Sequence, residues 1–167
     1  MTSVGLTMAL GFLLYLISNF YENKEAAEEG YDIRFGIIAG DQSGLYDVVT
    51  ETNSIPLLTQ ETGFCFGYSI DPPDDRTYLT REVIHLPAPP RHIDFQMPIE
   101  TLEGGRVIRT PNIYRREQMI YPFCFSEGDP LGPWKLEIYI NDELARAVRF
   151  QVVRPGRADM KFARVRD

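Results

Sequence analysis

The sequence predicts an all-β protein, an immunoglobulin-like antiparallel β-sandwich preceded by one N-terminal hydrophobic helix. Three observations carry this reading. After Gly30 every apolar segment is short, rich in Val, Ile, Phe and Tyr, and bounded by Gly, Pro, Asp or Asn, which is the punctuation of strands and turns. Trp134, Leu136, Ile138 and Ile140 alternate with Lys135, Glu137, Tyr139 and Asn141, one dry and one wet face of an antiparallel strand. Residues 4–20 run VGLTMALGFLLYLISNF without a charge, at the lower limit of length for a membrane-spanning helix.

The elements follow in chain order. The apolar residues of 4–20 surround the helix axis instead of forming one stripe, which suits lipid or the translocon better than a soluble surface. No Lys or Arg precedes the run and no small-residue cleavage site follows it, so an uncleaved anchor is expected ahead of a signal peptide or a helix buried against protein. Residues 21–30, YENKEAAEEG, are polar helix formers closed by glycine and complete a leader of residues 1–30. Strands are expected at 31–39, 45–52, 62–70, 79–86, 93–97, 118–126, 134–141 and 147–153, within a sandwich domain of residues 31–153. The NDEL of residues 141–144 reads as a hairpin connection, because Asn and Asp tolerate tight-turn conformations. The prolines of DPPDD and LPAPPRH mark loops. Residues 100–116, with Gly104, Gly105 and Pro111, read as a long mobile connection. Phe35, Phe66, Tyr68, Phe123, Phe125, Trp134, Leu136, Ile138 and Phe150 are the expected core.

Composition narrows the function classes. A formal net charge of -7 disfavours nucleic acid, which demands a basic surface to replace phosphate counterions. Residues 154–167 form a basic C-terminal tail, read as a solvated terminus. The two cysteines, Cys65 and Cys124, lack the close spacing of zinc or redox motifs. They fall on strands that neighbour one another in an immunoglobulin topology, on the face away from the aromatics. A cross-strand disulfide in an oxidising compartment and two unpaired thiols both remain open.

The strands themselves, IRFGII at 33–38, GLYDVVTETNSIP at 44–56, GFCFGYSI at 63–70, the histidine of VIHLP and the closing PWKLEIYINDELARAVRFQVV at 133–153, resemble a bacterial family called domain of unknown function 3859. The resemblance implies a β-sandwich and no catalytic residue.

Candidate chemistry is sparse. His85, His92 and Asp94 have the spacing H-x6-H-x-D, which is no standard zinc arrangement. Cys65 has no cationic neighbour in sequence to stabilise a thiolate. G-x-S-x-G, a phosphate-binding glycine loop and a calcium-loop spacing are absent. Tyr114, Tyr121, Phe123 and Phe125 read as alternating strand core rather than a base-stacking platform. No catalytic, cofactor or metal site is therefore expected. The expectation is a membrane-tethered, non-catalytic interaction or structural module, an accessory subunit contacting other protein subunits, with its sandwich on the periplasmic or extracellular side. Its loops would bind the partner through Asp71, Asp74, Asp75, Arg76, His85, Arg91, His92, Arg106, Arg109 and Tyr114, and its N-terminal helix would touch lipid. The alternative is a soluble or periplasmic ligand-binding protein or an enzyme.

Overall fold

The computed structural model describes residues 30–40, 46–58, 64–93 and 97–156. The expected N-terminal helix, its spacer up to residue 29 and the tail from residue 157 lie outside the described residues. Among the described residues no helix is long and apolar enough to cross a membrane.

Among the described residues, eleven strands form two sheets. In order they are β1 Asp32–Gly40, β2 Tyr46–Glu51, β3 Ser54–Pro56, β4 Phe64–Asp71, β5 Tyr78–His85, β6 Glu100–Leu102, β7 Val107–Arg109, β8 Ile113–Arg115, β9 Met119–Phe123, β10 Gly132–Ile140 and β11 Glu143–Val153. The smaller sheet has the order β2-β1-β4-β9, and the larger runs β3-β11-β10-β5-β7-β6, with β8 also paired to β5. Placing β10 between β11 and β5, and β4 beside β9 in the other sheet, reproduces the G-F-C and B-E neighbours of immunoglobulin domains.

The β10–β11 hairpin shows how sequence dictates geometry. Ile140 pairs with Glu143, leaving Asn141 and Asp142 as a two-residue turn with φ of 51° and 67°. Two successive positive φ values define the type I′ turn, whose twist matches that of the flanking strands, and Asn and Asp accept it at low steric cost. The turn thus ends sooner than NDEL suggests, and β11 begins at Glu143 instead of 147. A register shift beyond Tyr139↔Leu144 leaves Ala145 as the extra residue of a bulge.

Residues 100–116 are not a mobile connection. They form β6, β7 and β8, which extend the larger sheet. Gly104 and Gly105, at φ of 67° and 87°, turn β6 into β7, and these three-residue ladders are too short to show a period in the sequence. β7 and β8 both run antiparallel to β5, with Val83↔Arg109 and Thr80↔Ile113, so they amount to one strand offset by a single extra residue around Thr110 and Pro111. The expected strand at 93–97 does not form at its ends: Ile93 and Met97 are outside any strand, and the residues between them are not described. Pro122 sits on β9 at the edge of the smaller sheet, where a missing N–H is tolerated.

All nine expected core residues are buried. Phe66 lies at their centre, with ring centroids 4.7 Å from Phe125, 5.5 Å from Phe123 and 5.3 Å from Phe150, and edge-on to Trp134 at 6.0 Å. The Trp134 indole N–H donates to the carbonyl of Pro130 at 2.8 Å, satisfying the polar atom that burial would otherwise strand.

Cys65 and Cys124 are joined by a disulfide, with Cα atoms 4.4 Å apart. It closes the β4–β9 ladder one position beyond Phe66↔Phe123, on the outward face of the smaller sheet. In antibody domains the bridge instead joins the two sheets. Gly36 and Gly67 oppose each other in the same sheet, and a Cβ at Gly67 would come within 2.0 Å of the Tyr121 carbonyl oxygen.

One carboxyl side chain among the described residues lies wholly inside the sandwich. Glu82 of β5 is 0% exposed. Its carboxyl accepts hydrogen bonds from the Tyr68 hydroxyl, across the interior on β4, and from the Thr110 hydroxyl at the offset between β7 and β8. The Glu82 N–H donates back to Thr110 Oγ1 at 2.9 Å, and the Thr110 N–H donates to the Glu82 carbonyl at 3.0 Å. Burial, reinforced by the charge of Glu82, raises the Tyr68 hydroxyl well above its ordinary range and pushes Tyr121 up to about 12.

Removing the hydroxyl in Tyr68→Phe deprives a fully buried carboxyl of one donor. The expected loss is about 1.5 to 3 kcal/mol, the range for hydrogen bonds to charged groups, read from the urea midpoint at unchanged m-value. A loss under about 0.5 kcal/mol would show that Glu82 finds another donor.

Candidate interaction surface

The outward positions of the larger sheet bring charged side chains from separate strands into rows. Register aligns Arg149, Lys135 and His85 across β11, β10 and β5. The adjacent row holds Glu137, Val83, Arg109 and Glu100 across β10, β5, β7 and β6. The next rows hold Tyr139 beside Arg81, and Leu79 beside Tyr114. Strand alternation sends these outward because their neighbours Leu136, Ile138, Ile84 and Ile108 fill the core.

Glu137 organises the array. Its Oε1 accepts from Lys135 Nζ at 2.7 Å, while Oε2 lies 3.4 Å from His85 Nε2 and accepts from the Tyr139 hydroxyl at 3.1 Å. Burial raises its carboxyl pKa, but the hydrogen bond and charge of Lys135, with His85 close by, outweigh this and leave it below the ordinary value. The Arg81 guanidinium covers the Tyr139 ring at 4.2 Å from the centroid, a cation–π contact that fixes both side chains. Arg109 reaches Glu100 at 2.7 Å. Tyr114, expected as strand core, is 77% exposed beside these rows.

Of the ten sequence-predicted partner residues, His85, Arg109 and Tyr114 belong to this face. The other seven divide between opposite ends of the sandwich, because residues 71–76 precede β5 and residues 91–92 follow it. Its eight residues span about 25 Å at roughly 3.3 Å each. At the first end Asp74 accepts from the Arg76 N–H at 2.9 Å and from Arg76 Nε at 2.8 Å, and chiefly the backbone bond lowers its pKa. Asp71 and Asp75 are exposed in the same segment, and Arg116 Nε donates to the Asp75 carbonyl at 3.3 Å. Tyr31, Pro73, Arg76, Thr77 and Asn141 line a cleft of ≈ 340 Å³ there. At the other end the Arg91 N–H donates to the Gly128 carbonyl at 3.4 Å, Arg106 Nε donates to the Glu103 carbonyl at 3.4 Å, and His92 is exposed.

Sequence reasoning missed Arg81, Lys135, Glu137, Tyr139 and Arg149 as members of one surface. The wet face of β10 was visible, but its neighbours depend on a register that periodicity does not supply. Among the described residues no three His, Cys, Asp or Glu side chains gather as a metal site.

The family described as the PM0630 beta sandwich domain matches residues 33–153. Among solved structures, an immunoglobulin-like protein (PA1606) from Pseudomonas aeruginosa is similar at 14% identity and a TM-score of 0.44, over 76% of this chain and 99% of that one. Among curated proteins, none matches.

Titration of Glu137, followed by the side-chain carboxyl carbon resonance, is expected to give a midpoint below the ordinary glutamate value of about 4.3. Lys135→Ala should move it upward. Because the folded pKa is depressed, the stability this group contributes is present above the ordinary value and is lost as pH falls through the lower folded midpoint. A midpoint unchanged by Lys135→Ala would show that the lysine does not hold the carboxylate.

Proposed function

We propose, from the premise that the chain belongs to the PM0630 beta sandwich family, that it is a non-catalytic interaction module, an accessory subunit tethered to a membrane by residues 4–20. Its sandwich lies on the exported side and presents the outer face of the larger sheet to another protein subunit. The observation that carries this reading is the ladder-held array of Arg81, Tyr139, Lys135, Glu137, His85 and Arg109. Arg and Tyr are enriched among the residues that dominate interface energies, and strands hold them with less ordering cost than loops.

Two further features support the location. A disulfide persists in oxidising compartments such as the periplasm or cell exterior, and Cys65–Cys124 is such a bond. Seventeen uncharged residues at about 1.5 Å rise would make a helix of about 25 Å, close to a hydrocarbon core of about 30 Å, with Tyr15, Phe20 and Tyr21 suited to the interface. The resemblance to domain of unknown function 3859 is compatible with this family membership, since both are β-sandwich families. A second reading, a periplasmic ligand-binding protein, draws on the cleft lined by Tyr31, Arg76 and Asn141.

Carbonate extraction of native membranes, followed by purification in mild detergent, tests the proposal. The expected result is a membrane-retained chain, unlabelled by alkylation before reduction, that co-elutes with a stoichiometric protein. Release by carbonate with the N-terminus intact would contradict the tether. Co-elution of a small molecule and no protein would favour the second reading.

A further inference from the structure

We infer that the inner corner where β8 passes into β9 is a binding site for a small organic monocarboxylate, held by Arg115 and Tyr121. The site belongs to the interior edge of the sandwich and does not rest on the interaction-module reading of the outer face. The one-residue offset at Thr110 and Pro111 that turns Tyr114 outward turns its neighbour Arg115 inward. Arg115 stands directly opposite Tyr78 in the β5–β8 ladder, and side chains at opposed positions share a face. Tyr78 is 1% exposed and part of the core, so Arg115 springs from the inner side of the larger sheet. Its Nε is buried without a hydrogen-bond partner, and no carboxylate among the described residues pairs with it. A buried donor on a permanent cation is costly until an acceptor meets it.

Three tyrosine hydroxyls lie within electrostatic reach of Arg115: burial raises Tyr68, Tyr78 and Tyr121, and the Arg115 charge acts on each in the opposite sense. Two of them are committed. Tyr68 donates to Glu82, and Tyr78 donates to the Glu117 carbonyl at 2.8 Å. Tyr121 is paired with Tyr68 on the smaller sheet, its ring stacked at 5.9 Å, and its hydroxyl donates to the Met97 sulfur at 3.4 Å, a weak acceptor. Glu82 is not the missing acceptor for Arg115, because its two oxygens accept from Tyr68 and Thr110. The Arg115 Nε–H and the Tyr121 O–H are therefore two donors, from opposite sheets, that lack a strong acceptor.

A carboxylate supplies an oxygen to each donor, and the single guanidinium balances its charge. A dianion such as phosphate fits less well, since it meets one cation and the field of Glu82, which already reaches the Tyr121 hydroxyl. The neighbouring side chains are apolar. Ile113, opposite the buried Thr80, lies two positions before Arg115 on the same inner side, and Met97 touches Tyr121. Small-molecule sites combine a few placed polar groups with such a lining, so the ligand carries a short hydrocarbon body behind its carboxylate.

The probe is butyrate, titrated into the full chain in detergent micelles with isotopically labelled arginine. Its controls are butyramide, which keeps the hydrocarbon body without the charge, and inorganic phosphate at equal ionic strength. Two signals are followed: the Nε–Hε cross-peak of Arg115, identified by its loss in Arg115→Gln, and saturation transfer from the protein to the butyrate methyl group. The expected result is a saturable shift of that cross-peak with butyrate and none with butyramide. Butyrate affinity should fall about tenfold or more in Arg115→Gln, which removes the cation. It should fall about threefold in Tyr121→Phe, which removes one hydroxyl. Circular dichroism matching the parent separates loss of binding from loss of fold. Where Arg115→Gln does not fold, Arg115→Lys replaces it, keeping the charge without the Nε–H, and the expected loss is again about threefold. No saturable shift with butyrate overturns the inference, as does an equal shift with butyramide. Unchanged affinity in the folded variants overturns it too, and a shift with phosphate in place of butyrate overturns the assignment to a carboxylate.

Discussion

The carboxyl of Glu82, wholly buried and held from two sides by Tyr68 and Thr110, is the constraint on which the arrangement of the sandwich depends. A buried polar group without partners is costly, so the two sheets can close over Glu82 only in the alignment that brings Tyr68 from β4 to its carboxyl. Apolar packing alone tolerates sliding and repacking; a carboxyl that must find particular donors does not. The same group fixes the offset between β7 and β8. Thr110 meets both the backbone and the carboxyl of Glu82, and Pro111 follows with no N–H to offer the ladder. One extra residue at that point reverses the alternation. Tyr114 therefore faces out where an unbroken strand would have turned it inward. A polar contact inside the core thus determines which side chains the outer face displays.

The two sheets present unlike exteriors. The smaller one is tied across β4 and β9 by the disulfide and carries the opposed glycines Gly36 and Gly67, where the close approach of neighbouring backbone leaves no room for side chains. The larger one carries long charged side chains in register. Val83 and Val107 lie among them on the outward side yet are buried. The stems of neighbouring long side chains can cover apolar surface while their charged ends meet water. A face built this way is ordered before binding, which lowers the entropy lost when a partner docks.

How much of this was legible in the sequence depended on whether local pattern or pairing decided the outcome. The strict alternation of residues 134–140 announced β10, and the same alternation around Phe66 and Phe150 identified the core. Burial of Glu82 was not legible. Along β5 the inward positions are Tyr78, Thr80, Glu82 and Ile84 and the outward ones Leu79, Arg81, Val83 and His85, so neither face is hydrophobic and the period has no sign. β6, β7 and β8 were hidden because three-residue ladders with Gly104, Gly105 and Pro111 between them carry the composition of a loop. The candidate surface was half visible for the same reason. Lys135, Glu137 and Tyr139 were readable as a wet face, but their assembly with Arg81, Arg109 and Arg149 follows from register across four strands.

The account's central claim is that function resides on the outer face of the larger sheet instead of the loops at either end. Photo-crosslinking in native membranes tests it most directly, with benzoylphenylalanine placed singly at Tyr114, at His92 and at Glu51, all exposed and lying respectively on that face, on an end loop and on the smaller sheet. The account predicts a protein adduct from position 114, and none from 92 or 51. An adduct from 92 or 51 with none from 114 would contradict it.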